Sequence, residues 1–432
     1  MLAYGYADTE ACVVGRKPPF AGDRLPSPVG ERMTRVPTDC DSLRHDGGRH
    51  GRADRTVPDH RHDRQVLVVG DDLTAATAAG FLEQAGLDPV LVPPSNAGTH
   101  SATVTLWHSG LVLLERLGLR RPVERLGTRL DRLNCPSAGS SWAGERTDVP
   151  TLLAVRRDSL RNLLDRRVRD RVRTVQRPVI GVTPTAAGVD VTFDHGLEES
   201  FDAVVTTDPR LLPVAGTRPG STTVHVWEFD WPTTVPAPSS PTEAWGHDHA
   251  AFSVPAGDGA HVRLVSVAEQ TRATPVDVEA LDAQFGDRFE SGSFGNPLTA
   301  LDRHALQYRQ FPHAVPVSIR ADGVALAGPS TRSSLPGDCL GTALGVEDAW
   351  VLADTLAYGP SERAAALAAY ETRRRRRQTE LTRHAMDQLP LARTPARLSP
   401  RLSRLCATRA LAFRHVTGEP TPDFAHAVPD SL

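Results

Sequence analysis

The residues with the clearest chemical use lie in the stretch QVLVVGDDLTAATAAGFLEQAGLDPVLV, from Gln65 to Val92. Gly70 follows a short apolar run, and a helix-forming segment begins directly after it. A glycine turn that leads from a strand into a helix brings backbone N–H groups and the positive end of the helix dipole to one point, which suits a pyrophosphate. The stretch therefore predicts the start of a dinucleotide-binding domain.

This turn departs from the glycine-rich pattern at its second position. Where G-x-G-x-x-G places three glycines, the chain has Gly70, Asp72 and Ala75. Ala75 is compatible with close packing of the helix on the strand, because it adds only a methyl group. Asp72 puts a carboxylate where a pyrophosphate is expected, and like charges at about 4 Å repel by roughly 1 kcal/mol in water. Asp72 could instead cap the helix through the amides of Thr74 or Ala75, and both interpretations stay open.

Cysteine and histidine residues do not form a recognisable metal or disulfide site. The five cysteines are scattered and include no C-x-x-C pair, so no zinc site and no disulfide framework is indicated. Four histidines in the first 62 residues could bind a metal only weakly, because that segment shows no helix or strand periodicity. We predict a disordered extension over residues 1–62 and no metal site.

Composition limits the classes of function. The 432 residues carry a formal net charge of −3, so no global field favours nucleic acid, and 40% of them are hydrophobic, enough for a core. A run of about 18 apolar residues, which a membrane span needs, does not occur. The first residues lack the pattern of a signal peptide. We expect a cytoplasmic protein that binds a small molecule, with no nucleic-acid partner and no transmembrane segment.

The elements that position the first turn form a βαβ unit of about 30 residues, the usual size. Beyond it, TVTLWHSGLVLLERLGL predicts a loop and then an amphipathic helix, and VRRDSLRNLLDRRVRDRV predicts a second amphipathic helix. Strand-like runs between Gly, Pro and Asp turns fill the middle of the chain, and two helices follow Gly328. In these helices we expect Glu347 and Asp348 to be solvated or to pair helices. The basic run Arg373–Arg377 predicts a solvated face, whose arginines could also pair with a second copy in a homodimer.

Four blocks in one order resemble the FAD-dependent monooxygenases of the para-hydroxybenzoate hydroxylase type, the class A flavoproteins. They are the βαβ unit, VRRDSLRNLL, FDAVVTTDPRLLPVAG and VALAGPSTRSSLPGDCLGTALGVEDAWVLADTL. The resemblance implies an α/β fold: a Rossmann-like FAD-binding domain with a mostly parallel sheet and helices, interleaved with a mixed or antiparallel β-sheet substrate domain, and followed by C-terminal helices. The implied boundaries are 63–135, 151–212 and 319–360 for the FAD-binding domain, 136–150 and 213–318 for the substrate sheet, and 361–432 for the C-terminal helices and tail.

The resemblance also implies which residues contact FAD. They surround the pyrophosphate, the ribityl chain and the flavin ring, and are Gly70, Asp72, Thr74, Ala75, Arg157, Gly328, Pro329, Gly341 and Thr342. Three departures from the family pattern weaken these contacts. Pro93 and Pro94 stand where an acidic residue binds the adenosine ribose, Pro209 replaces the glycine of a D-G turn, and Pro329 replaces the aspartate that bonds the ribityl chain.

By resemblance, the activity is a monooxygenation that uses NAD(P)H and O₂ to hydroxylate an aromatic or polycyclic small molecule through a flavin C4a-hydroperoxide. The catalytic residues are not identified. Trp227, Trp231, Trp245 and His247 could line a pocket, although packing is the better interpretation of each. Two alternatives stay open. The chain could be a degenerate, non-catalytic binding or accessory protein with little or no FAD, or a flavin-dependent isoprenoid reductase.

Overall fold

The computed structural model describes most of the chain from residue 64 onward. The described residues are 64–70, 73–93, 102–130, 132–135, 140–143, 152–212, 217–246, 249–268, 277–289, 295–316, 318–331 and 341–393. The predicted extension 1–62, Asp72 and Pro94 lie outside them. In the part of the chain so described, no helix is both long enough and apolar enough to cross a bilayer.

The helices and strands follow one another in mixed order. The helices are α1 (Leu73–Gln84), α2 (His108–Arg116), α3 (Arg120–Leu126), α4 (Arg157–Val168), α5 (Val278–Phe285), α6 (Gly341–Tyr358) and α7 (Arg363–Arg393). The first strands are β1 (Gln65–Val69), β2 (Asp88–Val92), β3 (Thr103–Trp107), β4 (Thr128–Leu130), β5 (Arg132–Cys135), β6 (Ser140–Ala143), β7 (Leu152–Arg156), β8 (Arg173–Thr174), β9 (Val179–Pro184) and β10 (Val189–Phe193). The later strands are β11 (Glu198–Phe201), β12 (Ala203–Thr206), β13 (Thr217–Asp230), β14 (Thr242–Gly246), β15 (His249–Ala256), β16 (Gly259–Ala268), β17 (Gln307–Pro316), β18 (Arg320–Ala321) and β19 (Val324–Leu326).

A six-stranded sheet carries the predicted dinucleotide unit. Its order is β18-β19-β12-β1-β2-β8, and all neighbours are parallel except β18 and β19. The apolar run of β1 is buried from both faces, as expected for a central parallel strand. Helix α1 ends at Gln84, and Gly86, just beyond it, adopts a φ of 82° and donates its N–H to Glu83 O at 3.0 Å. The predicted βαβ unit is therefore confirmed.

A seven-stranded sheet forms the second layer of strands. Its order is β17-β13-β16-β15-β14-β5-β6, antiparallel except where β14 meets β5. Side chains of β13 alternate, so that Trp227, Phe229 and Trp231 enter one core with Phe285 of α5. The interpretation of Trp227 and Trp231 as packing residues is thus confirmed. The side chain of Trp245 and the whole of His247 lie outside the described residues.

Two predictions for the first half of the chain are wrong in detail. Residues 103–107 form strand β3 rather than a loop, because all five are buried and pair antiparallel with β7. The second amphipathic helix begins at Arg157 rather than at Val155, because Val155 belongs to β7. Both differences arise from this pairing, which joins segments far apart in the sequence.

Candidate active site

Three strands of the parallel sheet end at one edge, and their last residues hold one another in place. The turns after β1, β12 and β19 begin at Gly70, Thr207 and Gly328. Thr207 donates its N–H to Val69 O at 3.0 Å and accepts a hydrogen bond from Ser330 Oγ at 2.8 Å. In open α/β sheets, ligands bind outside this carboxyl edge. The geometry therefore places the predicted dinucleotide turns at the edge where a ligand is expected.

The turn after β1 needs a glycine for a steric reason. A Cβ on Gly70 would overlap Thr207 Oγ1, so only glycine allows this approach. The next two predicted residues lie inside the protein: Thr74 is 3% exposed and Ala75 is 1% exposed. A Cβ on Gly345 of α6 would overlap Thr74 Oγ1, which places Thr74 in the contact between α1 and α6. Their role toward a cofactor stays a prediction.

In the turn after β19, both backbone polar groups of Gly328 form hydrogen bonds. Gly328 has a φ of 82°, which favours glycine, and donates its N–H to Asp348 Oδ2 at 3.0 Å. Its carbonyl accepts a hydrogen bond from Thr331 Oγ1 at 2.8 Å. Pro329 is exposed at the tip of the turn. Its ring offers no hydrogen-bonding group to a ribityl chain.

Three other predicted cofactor residues, Gly341, Thr342 and Arg157, are partly exposed. Gly341 and Thr342 begin α6 and are half-buried. Arg157 begins α4, is half-buried, and donates its N–H to Ala102 O at 2.8 Å. Pro93, described at the end of β2, is half-buried and brings no carboxylate.

The turn after β12 is rebuilt, as the proline in it predicts. Pro209–Leu211 form a single 3-10 turn, and Asp208 caps it by accepting the Arg210 N–H at 2.9 Å. The Arg210 guanidinium also pairs with both oxygens of Asp208. Burial alone would raise the pKa of Asp208, but these contacts outweigh it and lower the pKa below the usual value. Asp208 is therefore charged and engaged within its own turn.

One face of the seven-stranded sheet carries a charged cluster, which we define as Glu228, Asp230, His261, Arg263 and Arg309. Glu228 is 1% exposed, accepts a hydrogen bond from Arg263 Nε at 2.7 Å, and forms an ion pair with Arg309. His261 Nδ1 lies 3.1 Å from Asp230 Oδ1, and its Nε2 lies 3.5 Å from Glu228 Oε1. A buried carboxylate held by two guanidinium groups fixes the orientation of both.

The end of β7 and the start of α4 lie beside this charged cluster. Arg156 NH1 lies 2.7 Å from Asp230 Oδ1. Burial and the neighbouring Arg157 lower the pKa of Arg309 to about 10, which leaves its guanidinium protonated at neutral pH. A predicted cofactor residue and the charged cluster therefore lie in one place.

Burial and hydrogen bonding shift the pKa values of two groups in this cluster. Burial is the largest influence on His261 and lowers its pKa, which favours a neutral ring. The hydrogen bond from His261, together with Arg156, lowers the pKa of Asp230 well below its usual range. The cluster therefore keeps Asp230 charged beside a neutral imidazole.

This cluster was not predicted from the sequence, although the spacing of its two carboxylates indicates it. In VHVWEFDW, Glu228 and Asp230 stand two residues apart in an otherwise apolar strand, so they share one face. A charged pair at strand spacing inside a buried run indicates a paired or functional site. Nothing local in the sequence pairs them with Arg263 or Arg309.

A second ionic network lies under the Gly328 turn; it confirms that Glu347 and Asp348 pair helices and corrects the prediction that the run Arg373–Arg377 forms a solvated face. Glu347 and Asp348 are fully buried, and so are Arg374 and Arg377 of the run expected to be solvated. Arg374 donates Nε to Asp348 at 2.5 Å and NH1 to Glu347 at 3.1 Å, and Ser109 Oγ donates to Glu347 at 2.6 Å. These residues pair α6 with α7, because buried charges require partners.

The ion pairs of this network favour the charged forms of Glu347 and Arg374. Burial alone would raise the pKa of Glu347, but Arg377 and Arg374 outweigh it and hold the pKa below its usual value. Burial alone would lower the pKa of Arg374, and the carboxylates of Asp348 and Glu347 raise it instead. The network is thus two carboxylates neutralised by two guanidinium groups. Among the described side chains, no group of three or more His, Cys, Asp or Glu residues could hold a metal ion.

Comparison with known proteins finds likeness at the level of structure. No protein-family model matches the chain, and no curated protein sequence matches it. Tetracycline destructase Tet(55) is similar with a TM-score of 0.64 and 17% identity, over 82% of this chain and 97% of that chain. HpxO of Klebsiella pneumoniae, complexed with FAD and uric acid, is similar with a TM-score of 0.60 and 20% identity, over 84% and 95% of the two chains.

A third solved structure widens the comparison. The tetrameric form of 2-methyl-3-hydroxypyridine-5-carboxylic acid oxygenase has a TM-score of 0.62 and 21% identity, over 79% of this chain and 97% of that chain. At these sequence identities the structural similarity establishes the fold of this chain. It does not transfer the function of any of these proteins to this chain. The fold of this chain is therefore that of the FAD-dependent monooxygenases of the para-hydroxybenzoate hydroxylase type, as the four sequence blocks predicted.

Proposed function

We propose that this chain is an FAD-dependent monooxygenase-like oxidoreductase acting on an aromatic or polycyclic small molecule, with NAD(P)H and O₂ as co-substrates. One observation carries the proposal: the Arg156–Asp230 ion pair joins the charged cluster to the start of α4, where the predicted cofactor residue Arg157 lies and where its charge acts on Arg309. A cofactor site and a substrate site are then neighbours. The domain boundaries and the homodimer belong to the same proposal.

The residues present fit FAD through their backbone and through one arginine. The Gly70 and Gly328 turns, the start of α6 at Gly341 and the guanidinium of Arg157 would hold the pyrophosphate and the flavin. Side-chain acceptors for the adenosine ribose and the ribityl chain are absent at Pro93 and Pro329. FAD, when bound, supplies the redox chemistry, and we expect its affinity to be lower than a full set of contacts would give.

The charged cluster supports a substrate with an acidic group. Arg263 and Arg309 are both held by Glu228, so little reorganisation is needed before an anion can bind. Arg263 and Arg309 lie on the same face of the seven-stranded sheet. Arg156 and Arg157, at the junction of β7 and α4, add positive charge beside that face. In this role the chain's own residues bind and orient the substrate and exclude water from it.

Flavin retention tests the proposal directly. The purified protein is incubated with FAD and desalted, and its visible spectrum is then recorded. We expect retained flavin, with the dissociation constant raised about tenfold in Arg157→Gln, because one charge-assisted contact is lost. Arg161→Gln is the matched control, since Arg161 lies on the same helix and pairs with Asp165 instead. A colourless protein whose melting temperature FAD leaves unchanged would contradict the proposal.

A second candidate is a non-catalytic binding protein built on the same fold. The observation that favours it is the set of lost contacts at Pro93 and Pro329, together with the Thr207 side chain that fills the space beside Gly70. This candidate predicts a folded protein that retains no flavin, so the same spectrum separates the two. None of the contacts described favours the isoprenoid reductase.

A further inference from the structure

Helix α7 contacts the strand and the turn that lead to the proposed cofactor site at two buried points. Tyr370, which is fully buried, donates its hydroxyl hydrogen to Leu326 O at 2.9 Å, at the end of β19. One turn later, Arg374 donates to Asp348 Oδ1, and Asp348 Oδ2 accepts the Gly328 N–H. The two contacts therefore lie on either side of the residue that precedes Gly328.

The second of these contacts uses charges where apolar packing would serve stability equally well. Taking an ion out of water costs several kcal/mol, and replacing a buried ion pair by apolar residues is often neutral. What the ion pair adds is a fixed orientation of the Asp348 carboxylate. The Asp348 carboxylate is fixed on one side by Arg374, so its other oxygen faces the Gly328 amide and the Thr331 hydroxyl at 3.3 Å.

The turn itself depends on this carboxylate. Gly328 is buried in the left-handed region, and its N–H would otherwise lack a partner in the contacts described. If Asp348 rotated away, the buried amide would favour a different backbone conformation. Arg374 therefore acts on the turn through Asp348, and Tyr370 acts on it through the preceding strand.

We propose that Tyr370 and Arg374 are positioning residues that fix the conformation of the Gly328 turn. Through these two residues, helix α7 sets the affinity of the dinucleotide site for its cofactor. The inference rests on the proposed function in one respect, namely that the Gly328 turn borders the cofactor. Neither residue is placed against the cofactor itself, and neither forms part of the charged cluster.

Two variants and one control test this inference. Tyr370→Phe keeps the buried ring and removes only the hydroxyl, and Arg374→Met removes the partner of Asp348. Arg377→Met is the matched control, because Arg377 is a buried cation of the same network that contacts Glu347 and not Asp348. Amide hydrogen exchange of the peptide 324–331, measured without added FAD, reports on the turn. The dissociation constant for FAD reports on the site.

We expect amide exchange in 324–331 to rise about tenfold in Tyr370→Phe and in Arg374→Met, and the FAD dissociation constant to rise about tenfold with it. In Arg377→Met both should stay within about twofold of the unmodified protein. Equal effects in all three variants, or unchanged exchange in Tyr370→Phe, would overturn the inference. If Arg374→Met does not fold, Tyr370→Phe decides alone.

The failure of the inference and the failure of the proposed function give different results. A protein that binds no FAD at all contradicts the proposed function, while the exchange measurement still tests whether α7 fixes the turn. A protein that binds FAD equally well in every variant retains the proposed function and contradicts the inference.

Discussion

At the scale of single residues, Glu228 is the carboxylate on which the charged cluster depends. It is 1% exposed and contacts Arg263 and Arg309. We expect Glu228→Gln to lower the free energy of unfolding by about 3 kcal/mol, because two half-buried guanidinium groups lose their contact with a buried carboxylate. Urea unfolding measures the change. Glu115→Gln, which alters an exposed ion pair with Arg120, is the control and should cost less than about 0.5 kcal/mol. Equal costs would mean that Glu228 is not buried as described.

The histidine of the same cluster predicts how stability depends on pH. Burial lowers the pKa of His261 in the folded chain, so below its unfolded pKa of about 6.5 the unfolded chain binds the proton more readily. The free energy of unfolding should therefore fall as the pH drops from 7 toward 5. In His261→Gln this slope should be shallower by up to about 1.4 kcal/mol per pH unit. Unfolding curves at a series of pH values test this, and an unchanged slope would show that His261 does not titrate on unfolding.

Residue roles could be predicted from the sequence only where the backbone dictated them. The glycine at position 70 was recognisable because a turn between strand and helix needs one. The burial of Glu347 and Asp348 was not, because their partners Arg374 and Arg377 lie on another helix. A charge on a helix gives the same local pattern whether it faces water or an opposite charge.

At the scale of elements, the contact between α1 and α6 depends on Gly345. A Cβ there would overlap Thr74 Oγ1, so Gly345→Ala should destabilise the protein by about 2 kcal/mol through overpacking. Adding Thr74→Ala should recover part of this loss, because it removes the overlapping hydroxyl. Gly259→Ala is the control, since no atom lies within 4 Å of its added Cβ. Thermal unfolding of these three variants and of Thr74→Ala alone measures the coupling, and additive costs would contradict the contact.

A helix or strand could be predicted from the sequence when the residues that define it lie close together in the chain. The unit β1, α1 and β2 carries its own apolar run, helix and Gly86 cap within one short stretch. Strand β3 was missed because its apolar residues run directly into those of α2, and only its pairing with β7 separates the two.

At the scale of the whole molecule, the chain crosses repeatedly between the six-stranded and seven-stranded sheets. It leaves the parallel sheet after β2 and again after β12 to add strands to the seven-stranded sheet, and it returns to the parallel sheet through β8 and β18. We therefore expect one cooperative unfolding transition, although the seven-stranded sheet has its own core around Trp227. Tryptophan fluorescence and far-UV circular dichroism should give coincident urea curves. Two separated transitions would show that the sheets unfold independently.

The position of α7 near the end of the described chain has a consequence for biosynthesis. Strand β19 and the Gly328 turn leave the ribosome before Tyr370 and Arg374, which hold them in the finished protein. During that interval Asp348 has no Arg374 to neutralise it, and the edge of the parallel sheet is incomplete. From the proposed role of α7 we expect the Gly328 turn to reach its final conformation only after α7 has emerged from the ribosome.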